Sequence, residues 1–328
     1  MSAEAGHPIV AIGASAGGLE ALSELAAGLP AELPATILIV QHVLAGFGSK
    51  LPELLTVRGK LRATHAMHGE KILPGRIYVA PPDNHIVVRR GYLNVVRGPK
   101  ENNHRPSVDV LFRSASAAYG PGVVGVVLTG FLDCGTAGLL SIKARGGLAV
   151  AQDPADAKEP EMPRSAIAHA QVDHVVPMRE MAALITRLVS QPPGARPADL
   201  SHAISELEGD ELGVPSDFVC PLCQGKLTET ALNGFQSFRC HVGHAFSLQS
   251  VASEQADAVE RALWAAVRAL EETATVSRRL ASSAIGDLRA RFEEKSEAQA
   301  QYADSIRQIL LDTRQASPTD AAALGHEE

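Results

Sequence analysis

Residues 8–18 read Pro-Ile-Val-Ala-Ile-Gly-Ala-Ser-Ala-Gly-Gly, and the predicted fold builds outward from them. The apolar run Ile9–Ile12 is typical of a buried strand. Apolar residues then recur at helical spacing over 19–29, so Ser15 lies on a tight turn between a strand and a helix. The spacing of Gly13, Ser15 and Gly17 fits the Gly-x-Ser-x-Gly pattern of a nucleophile elbow. It also fits a plain tight turn or a phosphate-binding loop, so this stretch alone leaves three interpretations open.

The composition limits the functional classes that are open to the chain. It has 328 residues, of which 45% are hydrophobic, enough for two or three globular domains. No apolar run approaches the roughly 20 residues of a membrane span, and the N-terminus lacks a secretory-signal pattern. We therefore expect a cytoplasmic protein without membrane insertion. Residues 201–328 carry a net charge of −9, which argues against nucleic-acid binding.

The first 190 residues alternate between apolar runs and helical patterns, the latter over 19–29, 108–118 and 178–188. Because parallel strands need crossover connections, this alternation predicts a doubly wound α/β fold with a mostly parallel sheet. The segments 85–88 and 92–96 predict an appended β-hairpin. The strands of the sheet are predicted at Ile9–Ile12, Thr36–Val40, Ile77–Ala80, Val123–Leu128, Leu148–Ala151 and Val175–Val176.

Three chemically active side chains follow strands of this predicted sheet: Ser15, His42 and Asp133. Ligands of doubly wound sheets bind outside the carboxyl ends of the strands, so the three side chains should converge there. A hydroxyl, an imidazole and a carboxylate form the set of a serine hydrolase, in which His42 takes the Ser15 proton and Asp133 orients His42. Backbone N–H groups at the helix start, near Ala16, would favour a developing oxyanion. A single histidine at a strand end is more often structural, so only the combination points to catalysis.

Seven short motifs recur in a fixed order over residues 7–190. They are Ile12-Gly13-Ala14-Ser15-Ala16-Gly17-Gly18, Gln41-His42, Leu73-Pro74-Gly75, Tyr78-Val79-Ala80-Pro81, Arg105-Pro106-Ser107-Val108-Asp109, Leu128-Thr129-Gly130 and Met162-Pro163-Arg164. In this combination the chain resembles the catalytic domain of the chemotaxis-type protein-glutamate methylesterases, the CheB family. The resemblance implies hydrolysis of glutamate methyl esters on chemoreceptors and deamidation of certain receptor glutamines. It also implies Ser15 as the nucleophile, His42 as the catalytic histidine and a backbone role for Phe131 at the oxyanion.

The chain departs from the family pattern in three places. Cys134 stands where the family has its catalytic aspartate, and Asp133 lies one residue earlier. A shifted turn would let Asp133 face His42; the alternative is an incomplete triad. Glu161 replaces the usual glycine before Met162-Pro163, and the usual N-terminal receiver domain is missing, so we expect a stand-alone form.

A second pattern of ligand-type residues follows the predicted linker 191–215. Cys220 and Cys223 form one pair, and Cys240 and His244 form another at a spacing typical of a zinc ribbon. We therefore predict a zinc-ribbon-like module over 216–248, with a structural zinc on these four residues. His241 competes for the fourth position, but adjacent side chains on a strand point to opposite faces, which favours His244. The alternative is a reduced, metal-free cysteine cluster.

The remaining segment, 249–314, is predicted to be an amphipathic helical tail. Ile285-Gly286 interrupts its apolar pattern, so two helices could pair as a hairpin, or one long helix could pair with a partner. We expect this tail to support self-association or partner binding.

These features predict a cytoplasmic protein-glutamate methylesterase whose partner is a methylated chemoreceptor or a related signalling protein. No cofactor is expected for catalysis. Two alternatives stay open: a non-catalytic binding module that has lost turnover through Cys134, and an esterase or amidase with another substrate.

Overall fold

The computed structural model describes residues 7–43, 48–192 and 213–316. The chain forms two compact units, the first ending at Val251 and the second beginning at Ala252. Most of the predicted linker 191–215 lies outside the described residues.

The first unit contains a seven-stranded parallel sheet. The strands up to residue 176 are β1 (Ile9–Ala14), β2 (Thr36–Gln41), β3 (Arg62–His65), β4 (Glu70–Lys71), β5 (Arg76–Val79), β6 (His85–Arg89), β7 (Tyr92–Val96), β8 (Val123–Val127), β9 (Leu148–Gln152) and β10 (His174–Val176). The order across the main sheet is β10-β9-β8-β1-β2-β5-β3. Strands β2, β5 and β3 therefore lie on one side of β1, and the later strands β8, β9 and β10 are added on its other side.

Helices cover both faces of this sheet, as predicted. They are α1 (Gly18–Gly28), α2 (Leu51–Arg58), α3 (Val108–Tyr119), α4 (Thr136–Ala144), α5 (Glu161–His169) and α6 (Met178–Val189). Alternate residues of β1 enter different cores: Val10 packs in the core that contains Ile185 of α6, and Ile9 packs in the core that contains Phe112 of α3. The continuous apolar runs thus mark strands that are buried on both faces.

The six predicted strands of the main sheet and the three predicted helices of this region are confirmed. The predicted hairpin is β6–β7, and β4 pairs with β7 to complete a small antiparallel sheet. Sequence analysis missed β3, because Arg62–His65 is a polar strand at the edge of the sheet. It also missed α4, of whose nine residues six are buried, so that no broad polar face marks it as a helix.

Four antiparallel strands follow at residues 214–247: β11 (Val214–Val219), β12 (Lys226–Leu232), β13 (Phe235–Cys240) and β14 (Ala245–Ser247). The turn between β12 and β13 is Asn233-Gly234, with φ values of 50° and 76°. These angles suit the tight hairpin turn that Asn-Gly favours. The module has a small core that includes Leu227, Phe238 and Phe246.

The tail contains α7 (Leu248–Ser283) and α8 (Asp287–Ala316), and the break falls at the predicted Ile285-Gly286. Gly286 has a φ of 65°, which ends the helical path at low cost for a glycine. In the second unit the Ser296 hydroxyl donates to the Ala274 carbonyl at 2.9 Å, and Val267 packs with Leu310. The two helices therefore form an antiparallel hairpin. Within the described ranges, the chain has no helix with the length and apolar content to cross a bilayer.

Candidate functional site

The sheet order reverses between β1 and β8, and the crevice at such a point is where doubly wound folds bind ligands. Ser15 directly follows β1, and His42 directly follows β2. The register pairs Ala14 with Gln41, so Ser15 and His42 start from neighbouring backbone positions. The Ser15 amide donates to the carbonyl of Thr129 at 2.9 Å, which places the loop after β8 beside them.

Ser15 has the strand–turn–helix setting that a nucleophile elbow requires. Gly17, with a φ of 77°, is the residue before α1 and makes the sharp turn possible. Gly130 lies directly against Ser15: a Cβ at this position would be 2.7 Å from the Ser15 Cβ and 2.1 Å from the Met162 Sδ. Only a glycine therefore lets the β8 loop approach the serine this closely.

The two predicted oxyanion residues flank this turn. The Thr129 hydroxyl donates to the Ala16 carbonyl at 2.9 Å, and the Leu132 amide donates to a Glu161 carboxylate oxygen at 2.6 Å. These bonds fix the loop on which Phe131, 51% exposed, lies open to solvent. The roles of Ala16 and Phe131 at the oxyanion stay predictions.

His42 is the second predicted catalytic residue, and its ring stacks on the ring of His104. The ring centroids are 3.6 Å apart and the planes differ by 12°. Both nitrogens of His42 are buried and have no hydrogen-bond partner among the described residues. Burial, and secondly repulsion from His104, hold the pKa of His42 well below 6.5. Burial also lowers the pKa of His104, to about 4, so both rings are neutral at pH 7.

Asp133 is not hydrogen-bonded to His42, so the direct bond that a shifted turn would give is not found, and the catalytic role of Asp133 stays a prediction. Its Oδ1 instead accepts a 2.6 Å hydrogen bond from the hydroxyl of Ser247, at the end of β14. The preceding residue, Leu132, has a φ of 60°. This left-handed conformation redirects the loop, so Asp133 does not take the orientation that the sequence analysis expected from a turn shifted by one residue. Burial raises the pKa of Asp133 to about 7, and the neighbouring carboxylates of Asp109 and Glu161 add to the effect.

Cys134 occupies the place of the family aspartate without its chemistry. The side chain is 2% exposed, with its sulfur 3.8 Å from the hydroxyl of Ser107. Burial, and secondly the charge of Asp109, raise the pKa of this thiol well above 9.0. A neutral thiol cannot orient and stabilise a cationic imidazole as a carboxylate does. Within the described part of the chain, no carboxylate is therefore hydrogen-bonded to His42.

Sequence reasoning missed two residues of this region. His104 lies just before the Arg105-Pro106 motif, and that position was its sole sequence signal. Ser247 lies 114 residues from Asp133, and only the docking of the module brings the two together.

The four predicted metal ligands do come together. The ligand atoms of Cys220, Cys223, Cys240 and His244 all lie within 4.8 Å of one another. The Nδ1 of His244 is 3.6 Å from the sulfurs of Cys220 and Cys240, and the sulfurs of Cys223 and Cys240 are 3.6 Å apart. Metal–sulfur distances of about 2.3 Å and metal–nitrogen distances of about 2.0 Å give tetrahedron edges of about 3.5–3.8 Å. The cluster can therefore hold a metal ion, whereas His241 is exposed and lies outside it.

Comparison with known proteins identifies the same region. Residues 10–185 match the CheB methylesterase family. A protein-glutamate methylesterase/protein-glutamine glutaminase of Ralstonia nicotianae is 40% identical over 177 residues, 53% of this chain and 46% of the relative. The protein of the same name from Bordetella pertussis is 44% identical over 186 residues, 55% of this chain and 53% of the relative. The chain thus spans about half the length of the curated relatives it matches.

A solved structure agrees with these sequence matches. The crystal structure of the Thermotoga maritima CheB methylesterase catalytic domain superimposes with a TM-score of 0.54 at 32% identity. The match covers 56% of this chain and 99% of that domain. The motifs on which the resemblance rested lie in the matched region.

Proposed function

Since the chain belongs to the CheB methylesterase family, we propose that it is a protein-glutamate methylesterase that uses Ser15 as its nucleophile. The observation that carries this proposal is that Ser15 follows β1, which borders the switch point of the sheet, and that His42 follows the neighbouring strand β2. The same site would deamidate glutamine, since an amide undergoes the same attack with ammonia as the leaving group.

The reaction follows from the chemistry of the two side chains. His42 accepts the hydroxyl proton as the Ser15 oxygen bonds to the ester carbonyl carbon of a glutamate methyl ester. The tetrahedral intermediate collapses, the C–OCH₃ bond breaks, and the imidazolium returns the proton so that methanol leaves. Water, deprotonated by His42, then hydrolyses the glutamyl–Ser15 ester and restores the serine. Backbone N–H groups of Ala16 and Phe131 would hold the oxyanion in both steps.

The surroundings of His42 support a slow enzyme. In a catalytic triad, a carboxylate stabilises the cationic form of the histidine. Neither Asp133, which is bonded to Ser247, nor Cys134, a neutral thiol, supplies that negative charge to His42. Loss of the triad carboxylate lowers turnover by about 10⁴-fold in a serine protease. We therefore expect measurable but low turnover.

We also propose that the module at 214–247 binds one structural zinc through Cys220, Cys223, Cys240 and His244. Four protein ligands leave no open position for a substrate, which supports a structural role. Metal analysis of the purified chain should find about one zinc per chain. Cys220→Ser should lose the metal, whereas His241→Ala, a change at an adjacent histidine outside the cluster, should retain it. A protein that holds no zinc, or one whose zinc survives Cys220→Ser, would refute this site.

The partner that the family suggests is a methylated chemoreceptor or related signalling protein, which we place with this chain in the cytoplasm. We further propose that the helical tail mediates self-association or binding of another protein. Its exposed apolar side chains, such as Val276 and Tyr302, support this. Sedimentation and receptor-binding measurements on the chain with and without residues 252–328 test this proposal. A monomeric mass and a receptor affinity that are both unchanged by the truncation would contradict it.

The nucleophile is tested by matched serine variants. Ser15→Ala should lose hydrolysis of a peptide glutamate γ-methyl ester and labelling by a serine-reactive fluorophosphonate. Ser23→Ala, an equally small change in the following helix, should keep both. Retention of hydrolysis or labelling in Ser15→Ala would show that another residue is the nucleophile.

A further inference from the structure

The metal-binding module packs on the catalytic region, with β14 against the segment around residue 102. The amide of Asn102 donates to the Ala245 carbonyl at 2.7 Å, and the amide of Ser247 donates to the Asn102 Oδ1 at 2.8 Å. The Ser247 hydroxyl donates to Asp133 at 2.6 Å. Asn102 and Ser247 are 7% and 2% exposed, so these bonds lie in a buried junction.

Charged and apolar contacts surround this junction. Glu101 is buried and accepts two hydrogen bonds from Arg113 of α3, at 2.6 and 2.8 Å. Arg239 of β13 lies 3.9 Å from the same carboxylate. Phe235 of the module belongs to the hydrophobic core on the α3 face of the main sheet. A buried junction with satisfied charges and a shared core is a fixed contact rather than an incidental one.

The segment 101–104 is a tight turn that ends at His104. The amide of Glu101 donates to the His104 carbonyl at 3.2 Å, and the His104 amide donates back to the Glu101 carbonyl at 3.0 Å. Asn102 and Asn103 have φ values of 49° and 60°, the left-handed conformation that asparagine adopts more readily than other non-glycine residues. Outside the turn, Asn102 makes two hydrogen bonds with β14, and its Nδ2 donates to the Asp109 Oδ2 of α3 at 3.0 Å.

We propose that the turn 101–104 is a positioning element through which the metal-bound module fixes the ring of His42. The module holds Asn102, the turn presents His104, and His104 stacks on the ring that the mechanism uses as its base. The catalytic role of His42 and the bound zinc both rest on the proposed function, whereas the contacts from β14 to the turn and from His104 to His42 are those of the structure. His104 and Asn102 are then positioning residues.

The proposed metal site is connected to β14 through the backbone. His244, one of its ligands, directly precedes Ala245, and the Cys240 amide donates to the His244 carbonyl at 3.0 Å. A module this small has little core of its own, so the metal adds to the junction contacts in fixing residues 240–247. Without the metal, the bonds from β14 to the turn weaken, and the ring of His104 is held less firmly against the ring of His42.

The test reads the His42 ring directly. Protein with ¹³Cε1-labelled histidine is titrated by NMR, zinc-loaded and after removal of metal by a chelator, with His42 assigned from the spectrum of His42→Gln. Two variants are measured in the loaded form. Asn102→Gly removes the side-chain bonds to Ser247 and to Asp109 without backbone strain. Asn233→Gly makes the same substitution at an exposed left-handed position of the β12–β13 turn and serves as the control.

Metal removal and Asn102→Gly should each shift the His42 resonance and raise its pKa towards 6.5, while Asn233→Gly changes neither. Zinc content should stay at the parental level in Asn102→Gly, and its ester turnover should fall by about 10–100-fold, the cost of a small misplacement. A His42 resonance and pKa that are unchanged when the metal is removed would overturn the proposal. A parent protein without esterase activity would refute the proposed function, yet the NMR comparison would still decide the link.

Discussion

Replacing Asp133 with Asn should stabilise the protein at alkaline pH and leave it nearly unchanged at acid pH. Asp133 is 2% exposed, and its hydrogen bond from Ser247 only partly offsets the cost of burying a charge beside Asp109 and Glu161. Asparagine keeps an oxygen that can accept the Ser247 hydrogen bond but cannot ionise. The substitution thus removes the buried charge and preserves the contact.

The magnitude follows from the pKa of Asp133, which burial raises from 3.8 to about 7. A raised pKa of a folded carboxyl means that the unfolded chain loses its proton first. The contribution of Asp133 to stability is therefore greatest below pH 3.8, falls as the pH rises, and is constant above about pH 7. At about 1.4 kcal/mol per pH unit the full loss is about 4 kcal/mol, of which about 3 kcal/mol falls between pH 5 and 8.

Urea unfolding of the zinc-loaded protein at pH 5, 6.5 and 8 measures this difference. The free energy of unfolding of Asp133→Asn minus that of the parent should grow by about 3 kcal/mol across the range. Asp217→Asn, at an exposed carboxyl of the module, serves as the control and should show no such growth. A difference that does not depend on pH would refute the reasoning, because Asp133 would then ionise in the folded protein as easily as in the unfolded chain.

Three further predictions concern the catalytic edge. Cys134→Asp should raise ester turnover, by up to ~10⁴-fold, because it restores a carboxylate where the family has one; a rate at or below the parental rate, in a variant that folds, would contradict the incomplete-triad account. Gly130→Ala should abolish turnover and lower the unfolding midpoint, since the new Cβ would be 2.1 Å from the Met162 Sδ; parental activity and stability would show that the loop is not packed as described. In the parent, kcat/KM should be the same at pH 6 and 8, because the pKa of His42 lies well below 6.5 and the base stays neutral; a fall near pH 6.5 would show that His42 has an ordinary pKa.

The features that could be predicted from the sequence depend on residues that are close together along the chain. The strand Ile9–Ile12 and the turn at Ser15 follow from an apolar run and small residues that are adjacent in the chain. The candidate metal cluster could be predicted because Cys220 and Cys223, and Cys240 and His244, are each close in sequence. In these cases the spacing alone restricts the geometry.

The misses depend on contacts between distant segments. Asp133 was expected to turn towards His42, but a hydroxyl from β14 competes for its carboxylate, and no local pattern announces that partner. The stack of His42 on His104 was missed for the same reason, because it joins a residue after β2 to a residue in the distant turn 101–104. The docking of the module is thus the feature that most changes the interpretation of the candidate site.

The central claim, that Ser15 hydrolyses glutamate methyl esters of a receptor, is tested most directly by methanol release. A chemoreceptor cytoplasmic fragment methylated with a ¹⁴C-methyl group is incubated with the parent protein, with Ser15→Ala and with Ser23→Ala. The account predicts that the parent and Ser23→Ala release labelled methanol at similar, low rates and that Ser15→Ala releases none above the uncatalysed background. Equal release of labelled methanol by Ser15→Ala and the parent would contradict it. So would the absence of release above background in both the parent and Cys134→Asp.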